Sequence, residues 1–141
     1  MSGEESGGER IDFSAATKRV IAERANFRCA YLGCASATSG PGTNANAVTR
    51  VGEAAHIYSA SVRGPRGRGG LSDEEIAQPE NGIWLCELHA RAIDANGGVG
   101  HPSELLLSYK GLHEARVKGE VLGLYAPVGW VQEIQVSSSG I

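Results

Sequence analysis

The sequence has few aromatic residues, few cysteines and no long hydrophobic run. Phe, Trp and Tyr make up 6% of the 141 residues, so we expect only a modest hydrophobic core. Small domains with modest cores commonly gain stability from a bound metal or a partner. No apolar stretch approaches the roughly 20 residues that a membrane-spanning helix needs, and no charged-then-apolar leader precedes a cleavage site. We therefore expect a soluble, cytoplasmic protein that makes no membrane contact.

The three cysteines are an odd number, which excludes a complete disulfide framework. Cys29 and Cys34 form one close pair, and Cys86 and His89 form a second pair about 50 residues further along the chain. Three thiolates and one imidazole would fill all four positions of a tetrahedral zinc ion, so we predict a structural zinc site. The alternative is that Cys34 and Cys86 are small buried hydrophobic residues without a metal.

The net charge of −3 argues against a protein that coats nucleic acid non-specifically, but positive charge is concentrated in one glycine-rich region between Arg50 and Gly70. Arg63, Arg66 and Arg68 lie there, and we expect them to contact the phosphates of a nucleic acid. The alternative is a solvated loop whose basic residues serve solubility. Few residues are suited to reading bases, so we expect a weak sequence preference.

The order of the predicted elements indicates a small α+β domain. We predict a disordered tail over residues 1–12, one domain over 13–124, and a linker or the start of a following region over 125–141. Small polar residues at 35–47 predict a surface loop. Helices are predicted from residue 14 to about 26, from near 86 to about 95 and from 103 to 121, and strands are predicted over 53–61 and 82–86.

Three further residues complete a pattern around the second cysteine pair. His56 lies in the strand segment AHI, Asn81 opens the segment NGIWLC, and Asp94 lies on the helix that follows. Over residues 27–114 the chain resembles the ββα-metal motif of HNH endonucleases, in the branch that carries a zinc knuckle. It is especially similar to the N-terminal HNH domains of bacterial anti-phage effectors, in which a cyclic-nucleotide-sensing SAVED domain follows.

The resemblance implies a metal-dependent nuclease that hydrolyses phosphodiester bonds of double-stranded DNA with Mg²⁺ or Mn²⁺. His56 would be the general base, because a neutral imidazole can deprotonate water near pH 7. Asn81 would hold the loop and orient the His56 ring through its side-chain oxygen. The implied setting is antiviral defence, under the control of a C-terminal region. Cleavage of both strands would require two copies, and so a homo-oligomer.

The sequence departs from the family at two positions that usually carry ligands of the catalytic ion, now Ala55 and Ala90. Asp94 remains as a candidate ligand. Glu53 is a weaker one, because strand residues three apart lie on opposite faces unless a bulge intervenes. His89 is an alternative ligand if it leaves the zinc knuckle. A zinc-binding module that grips DNA or protein without catalysis, or a regulatory domain, stays open as an alternative.

Overall fold

The computed structural model of the chain describes residues 9–124, and within them the protein is an α+β domain. The α+β class is therefore confirmed at this level, while the predicted region 125–141 lies outside the described residues. Within 9–124, no helix is both long enough and apolar enough to cross a membrane. The helices are α1 (Ala15–Arg24), α2 (Asp73–Ile76), α3 (Glu87–Ala92) and α4 (Ser103–Val121), and the strands are β1 (Ser39–Pro41), β2 (Val48–Arg50), β3 (Gly52–His56) and β4 (Gly82–Cys86).

The central unit is the antiparallel pair β3–β4, followed directly by α3. The pairing is continuous from Gly52 opposite Cys86 to His56 opposite Gly82, without a bulge. Cys86 is also the N-cap of α3, so the helix begins where the sequence predicted, but it ends at Ala92 and not near residue 95. This arrangement places the end of β3 and the whole of α3 on neighbouring parts of one small core.

The core is aliphatic and lies between the β3–β4 sheet, α3 and α4. Ile57, Ile83, Leu85, Ile93 and Leu106 are all fully buried in it. Burying a side chain of this size stabilises a fold by roughly 1.5–3 kcal/mol. Five such residues therefore make only a modest hydrophobic contribution to the stability of a domain of this length. The modest core predicted from composition is what the structure contains.

Helix α1 begins where the sequence predicts. The Ser14 hydroxyl accepts a hydrogen bond from the Thr17 N–H at 3.1 Å and so caps the helix. Ile21 is fully buried against β4. A β-carbon on Gly82 would overlap the Ile21 side chain, so the glycine permits the close approach of α1 to the sheet.

The segment that precedes α1 is tied to the body of the domain. Ile11 N–H donates to the Ala60 carbonyl at 2.8 Å, and Arg10 Nε lies 2.6 Å from Asp12 Oδ1. The prediction of a disordered tail is therefore wrong for its last residues, and residues 1–8 lie outside the described part. Ile11 is half-buried and Phe13 is buried, so these two apolar side chains hold the segment against the domain.

A hairpin occupies the region that we expected to be a surface loop. Ser39–Pro41 pairs with Val48–Arg50 in an antiparallel ladder. Its base is held to the central sheet, because Trp84 Nε1 donates to Thr38 Oγ1 at 2.8 Å. The loop prediction, which covered residues 35–47, is therefore wrong for Ser39–Pro41. Strands this short and exposed carry no hydrophobic alternation, so the pattern that identifies a strand is absent from them.

Candidate metal centre and active site

The two predicted ligand pairs come together. One ligand atom from each of Cys29, Cys34, Cys86 and His89 lies within 4.8 Å of all the others. His89 Nδ1 is 3.3 Å from Cys86 Sγ and 3.6 Å from Cys29 Sγ. Zinc bonds of about 2.3 Å to sulfur and 2.0–2.1 Å to nitrogen separate neighbouring ligand atoms of a tetrahedron by roughly 3.5–3.8 Å. The cluster thus has the donor set that zinc requires, and its ligand atoms lie close enough together for it to be a group that could hold such a metal.

The backbone around the cluster is arranged for this convergence. Cys29 N–H donates to the Ser36 carbonyl at 2.9 Å and Cys34 N–H to the Tyr31 carbonyl at 2.9 Å, which closes the loop between the thiols. Gly33 has a φ of +83°, a conformation that glycine adopts without strain. The sequence CAYLGC therefore forms a tight turn that points both thiols to one side.

The two thiols of this loop differ in their acidity. Burial raises the pKa of Cys29 to about 12. Burial also acts to raise the pKa of Cys34, but hydrogen bonds with the side chain and backbone of Ser36 outweigh it and lower the pKa overall. A buried thiol such as Cys29 ionises only when a cation is close, and a bound zinc ion supplies one.

His89 belongs to this cluster and not to a second site. Its ring stacks on Tyr31 with centroids 4.0 Å apart and an interplanar angle of 3°. The Tyr31 hydroxyl in turn lies 2.8 Å from Nε2 of His101. This packing fixes the His89 ring with Nδ1 towards the cysteines. The alternative in which His89 leaves the knuckle finds no support in this arrangement.

A second site lies where β3 ends, beside α3. His56, Asp94, Glu53, Ala55 and Ala90 all line one cavity of about 110 Å³. Glu53 reaches this cavity although the β3–β4 register has no bulge. Ala55 and Ala90 thus face the same space as the candidate base. Their small side chains leave room there for water or a hydrated ion.

His56 is the most perturbed group of the site. Its pKa is lowered to about 4, mainly by burial and then by the nearby charge of Arg10, while a backbone hydrogen bond with Ile11 and the charges of Asp12 and Asp94 act in the opposite direction. The imidazole is therefore neutral at pH 7, the form that a general base needs.

The His56 ring is held by an aromatic stack. It lies parallel to the Phe13 ring, with centroids 3.9 Å apart and an interplanar angle of 6°. Nε2 is buried and has no hydrogen-bond partner among the described residues. Sequence reasoning missed the role of Phe13. Its position directly before the helix cap was an available signal, because an apolar residue there commonly packs against the body of the fold.

Asn81 holds the loop as expected, but its oxygen does not orient the His56 ring. Oδ1 accepts a hydrogen bond from Tyr58 N–H at 2.8 Å. Nδ2 donates to the carbonyls of Tyr58 at 2.9 Å and Ile76 at 3.0 Å. Asn81 is 4% exposed, so this amide is fully committed to the backbone. Its effect on His56 is indirect, through the chain that follows β3.

Asp94 is paired with a buried arginine. Arg66 Nη2 lies 2.9 Å from Asp94 Oδ1, and the Arg66 side chain is only 4% exposed. The same guanidinium donates to the carbonyls of His56, Ile57 and Ile93 at 3.0, 2.8 and 2.8 Å. The expectation that Arg66 contacts phosphates is therefore wrong. The loop folds inward at this residue, where the guanidinium supplies the donors for three backbone carbonyls.

The other two arginines of the loop differ from each other. Arg68 is largely buried and its Nη2 lies 2.6 Å from Asp73 Oδ1, so its charge is already matched. Arg63 is exposed and is the one of the three whose side chain faces solvent. The predicted phosphate clamp is thus reduced to one residue.

Comparison with known proteins found no protein family that matches this chain and no curated protein that matches it. The two sites are therefore interpreted from their own geometry and chemistry.

Proposed function

We propose that this domain is an HNH-type endonuclease of the ββα-metal fold that hydrolyses phosphodiester bonds of double-stranded DNA. The observation that carries the proposal is the neutral, half-buried His56 at the rim of a cavity that also holds two carboxylates, beside a Cys₃His cluster. The succession β3, β4 and α3 supports it, because HNH sites lie where two strands meet a helix. The zinc cluster joins the loop after α1 to the start of α3 and so keeps that helix in position.

Two carboxylates of the cavity would be the protein ligands of a divalent cation. Mg²⁺ commonly takes one or two carboxylates and keeps several waters, and Glu53 and Asp94 offer two carboxylates with space beside them. Such an ion, when bound, would neutralise the charge that develops on the phosphoryl group and the leaving oxygen. His56 accepts the proton of the attacking water, Phe13 fixes its ring, and Arg66 sets its backbone relative to Asp94.

A second candidate is a zinc-binding module that binds nucleic acid without cutting it. The observation in its favour is the ion pair between Arg66 and Asp94. A guanidinium 2.9 Å from the carboxylate partly neutralises it and opposes the approach of a second cation. Ala55 and Ala90 add to this, because neither side chain can bind a metal.

The test is cleavage of supercoiled plasmid DNA by the chain with its zinc retained, with Mg²⁺ or Mn²⁺ added. We expect nicking that falls by about 100-fold or more in His56→Ala, the scale of general-base catalysis. Zinc content and the urea midpoint of the variant serve as controls for folding. Binding of DNA without cutting under either ion would favour the second candidate. A role in antiviral defence and control by a following region remain part of the proposal.

A further inference from the structure

We propose that the scissile DNA strand lies in a groove between α1 and the β1–β2 hairpin, with its phosphates on Lys18 and Arg50. This α1 groove is a site for a phosphodiester backbone. It replaces the glycine-rich loop as the main binding surface. The inference rests on the proposed function and specifies where its substrate binds.

The α1 groove leads into the His56 cavity. Its main part, of about 420 Å³, shares Arg10, Glu53 and His56 with that cavity. A further part, of about 300 Å³, adjoins the main part at Phe27 and Trp84 and extends to the hairpin. A strand that lies in the groove therefore has the candidate base in the wall beside it.

Positive charge is distributed along the groove. Its walls carry Arg10, Lys18 and Arg19 on the side of α1 and Arg50 on the side of β2. Lys18 and Arg50 are exposed, and no salt bridge within residues 9–124 involves either of them. These two cations are available for phosphates, in contrast to Arg66 and Arg68 of the glycine-rich loop, which are largely buried and paired.

The acidic residues of the groove do not cancel this charge where the strand would lie. Asp12 is paired with Arg10, and Arg19 is paired with Glu23 at 3.2 Å. Exposed pairs of this kind are weak, so both arginines can exchange their carboxylate for a phosphate. Glu53 lies at the end shared with the His56 cavity, where a carboxylate suits a cation.

Phe27 supplies an apolar wall. Its side chain is 37% exposed, and its ring meets Trp84 edge-on with centroids 6.3 Å apart. Its backbone has a φ of +55°, a conformation that is strained for a bulky residue and is concentrated at functional sites. An exposed ring held in this way beside a row of cations offers a surface to the sugars of a bound strand.

The test is binding of a fluorescent 20-base-pair DNA duplex, followed by anisotropy at several salt concentrations and without added divalent ion. The variant Lys18→Gln/Arg50→Gln is compared with Lys118→Gln/Arg91→Gln, which removes the same two charge types at exposed positions outside the groove. We expect the groove pair to weaken binding about tenfold or more and to reduce the salt slope by about 1.8, since each lost phosphate contact accounts for about 0.9. The control pair should stay within about twofold of the wild type.

Phe27→Leu tests the contribution of the apolar wall to binding separately from that of the charges. We expect it to weaken binding severalfold while the salt slope stays unchanged, because no phosphate contact is lost. If the two double variants lost equal DNA affinity, or if only the control variant lost affinity, the proposal that DNA binds in the α1 groove would be wrong. If wild-type protein cuts DNA but Lys18→Gln/Arg50→Gln binds DNA like the wild type, the α1 groove is wrong as the binding site while the proposed nuclease function stands. If wild-type protein neither binds nor cuts DNA, the proposed function fails with it.

Discussion

The guanidinium of Arg66 holds the carboxylate of Asp94 in place beside the backbone of His56. One nitrogen, Nη2, lies 2.9 Å from the carboxylate and 3.0 Å from the His56 carbonyl. The other nitrogens bind the carbonyls of Ile57 and Ile93. A single buried side chain therefore joins the end of β3 to the end of α3. The two residues that we assign to the chemistry are fixed relative to each other by a third that takes no part in it.

Replacing this arginine should unfold the domain far more readily than replacing its exposed neighbour. Arg66→Met leaves three buried carbonyls without a donor, and we expect a loss of about 3–5 kcal/mol in the free energy of unfolding. The ion pair contributes little to this figure, because Asp94 is half exposed. Arg63→Met should change stability by less than about 0.5 kcal/mol. Urea unfolding followed by circular dichroism measures both, and similar midpoints would contradict the buried role of Arg66.

The buried amide of Asn81 gives a second, sharper stability test. Asn81→Asp keeps the shape of the side chain but removes both N–H donors to Tyr58 and Ile76 and introduces a charge into a buried position. We expect a loss of about 2–4 kcal/mol, larger at pH 8 than at pH 5 because the buried carboxylate must ionise. Asn46→Asp, at an exposed turn, is the control and should be nearly neutral. A loss that does not depend on pH would argue against burial of the new carboxyl group.

The pKa of His56 predicts a specific pH dependence of stability. Its folded value of about 4 lies below the ordinary 6.5, so between these values the unfolded chain binds more protons than the folded one. Stability from this group is therefore fully present above pH 6.5 and is lost as the pH falls towards 4. After allowance for partial exposure, we expect a difference of roughly 1–2 kcal/mol.

The measurement compares wild-type protein with His56→Gln by urea unfolding from pH 4.5 to 7.5. Loss of zinc at low pH affects both proteins, so the difference between them isolates the histidine. The curves should converge as the pH falls, because only the wild type gains a proton on unfolding at this position. Parallel curves would mean that Arg10 and burial do not depress the pKa, and that the ring is not the neutral base that the proposed mechanism uses.

The sequence predicted the parts of the structure that depend on periodic burial or on ligand chemistry. The strand that leads into Cys86 and the cap at Ser14 are where we expected them, and a strand does contain His56, although it ends there and not at residue 61. The convergence of Cys29 with His89 was predictable, because close ligand pairs in a chain with few cysteines suit zinc.

The parts that the sequence did not predict depend on contacts between distant polar residues. Nothing local distinguishes Arg66, which points inward, from Arg63, which is exposed, because their difference is set by unpaired carbonyls 27 residues away at Ile93. The oxygen of Asn81 was assigned to a ring and is bound by a backbone N–H instead. Positions of charged side chains in a glycine-rich loop are decided by such tertiary partners and not by composition.

Zinc should be present at one ion per chain and should determine whether the domain folds. The cluster joins a loop after α1 to the start of α3, so its removal opens a long loop and leaves the buried Cys29 thiol without a cation. We expect Cys29→Ser and Cys86→Ser to lose the metal and several kcal/mol of stability, since folding and zinc binding are coupled in small domains. Metal analysis of the purified proteins and thermal unfolding with and without a chelator measure these effects.

His101→Gln is the matched control, because His101 contacts Tyr31 and not the cluster, and it should keep its zinc. Cobalt substitution tests the geometry, since three thiolates and one imidazole give an intense visible spectrum of the tetrahedral type. A stoichiometry well below one, or a chelator that leaves the melting temperature unchanged, would show that the cysteines pack as ordinary small residues.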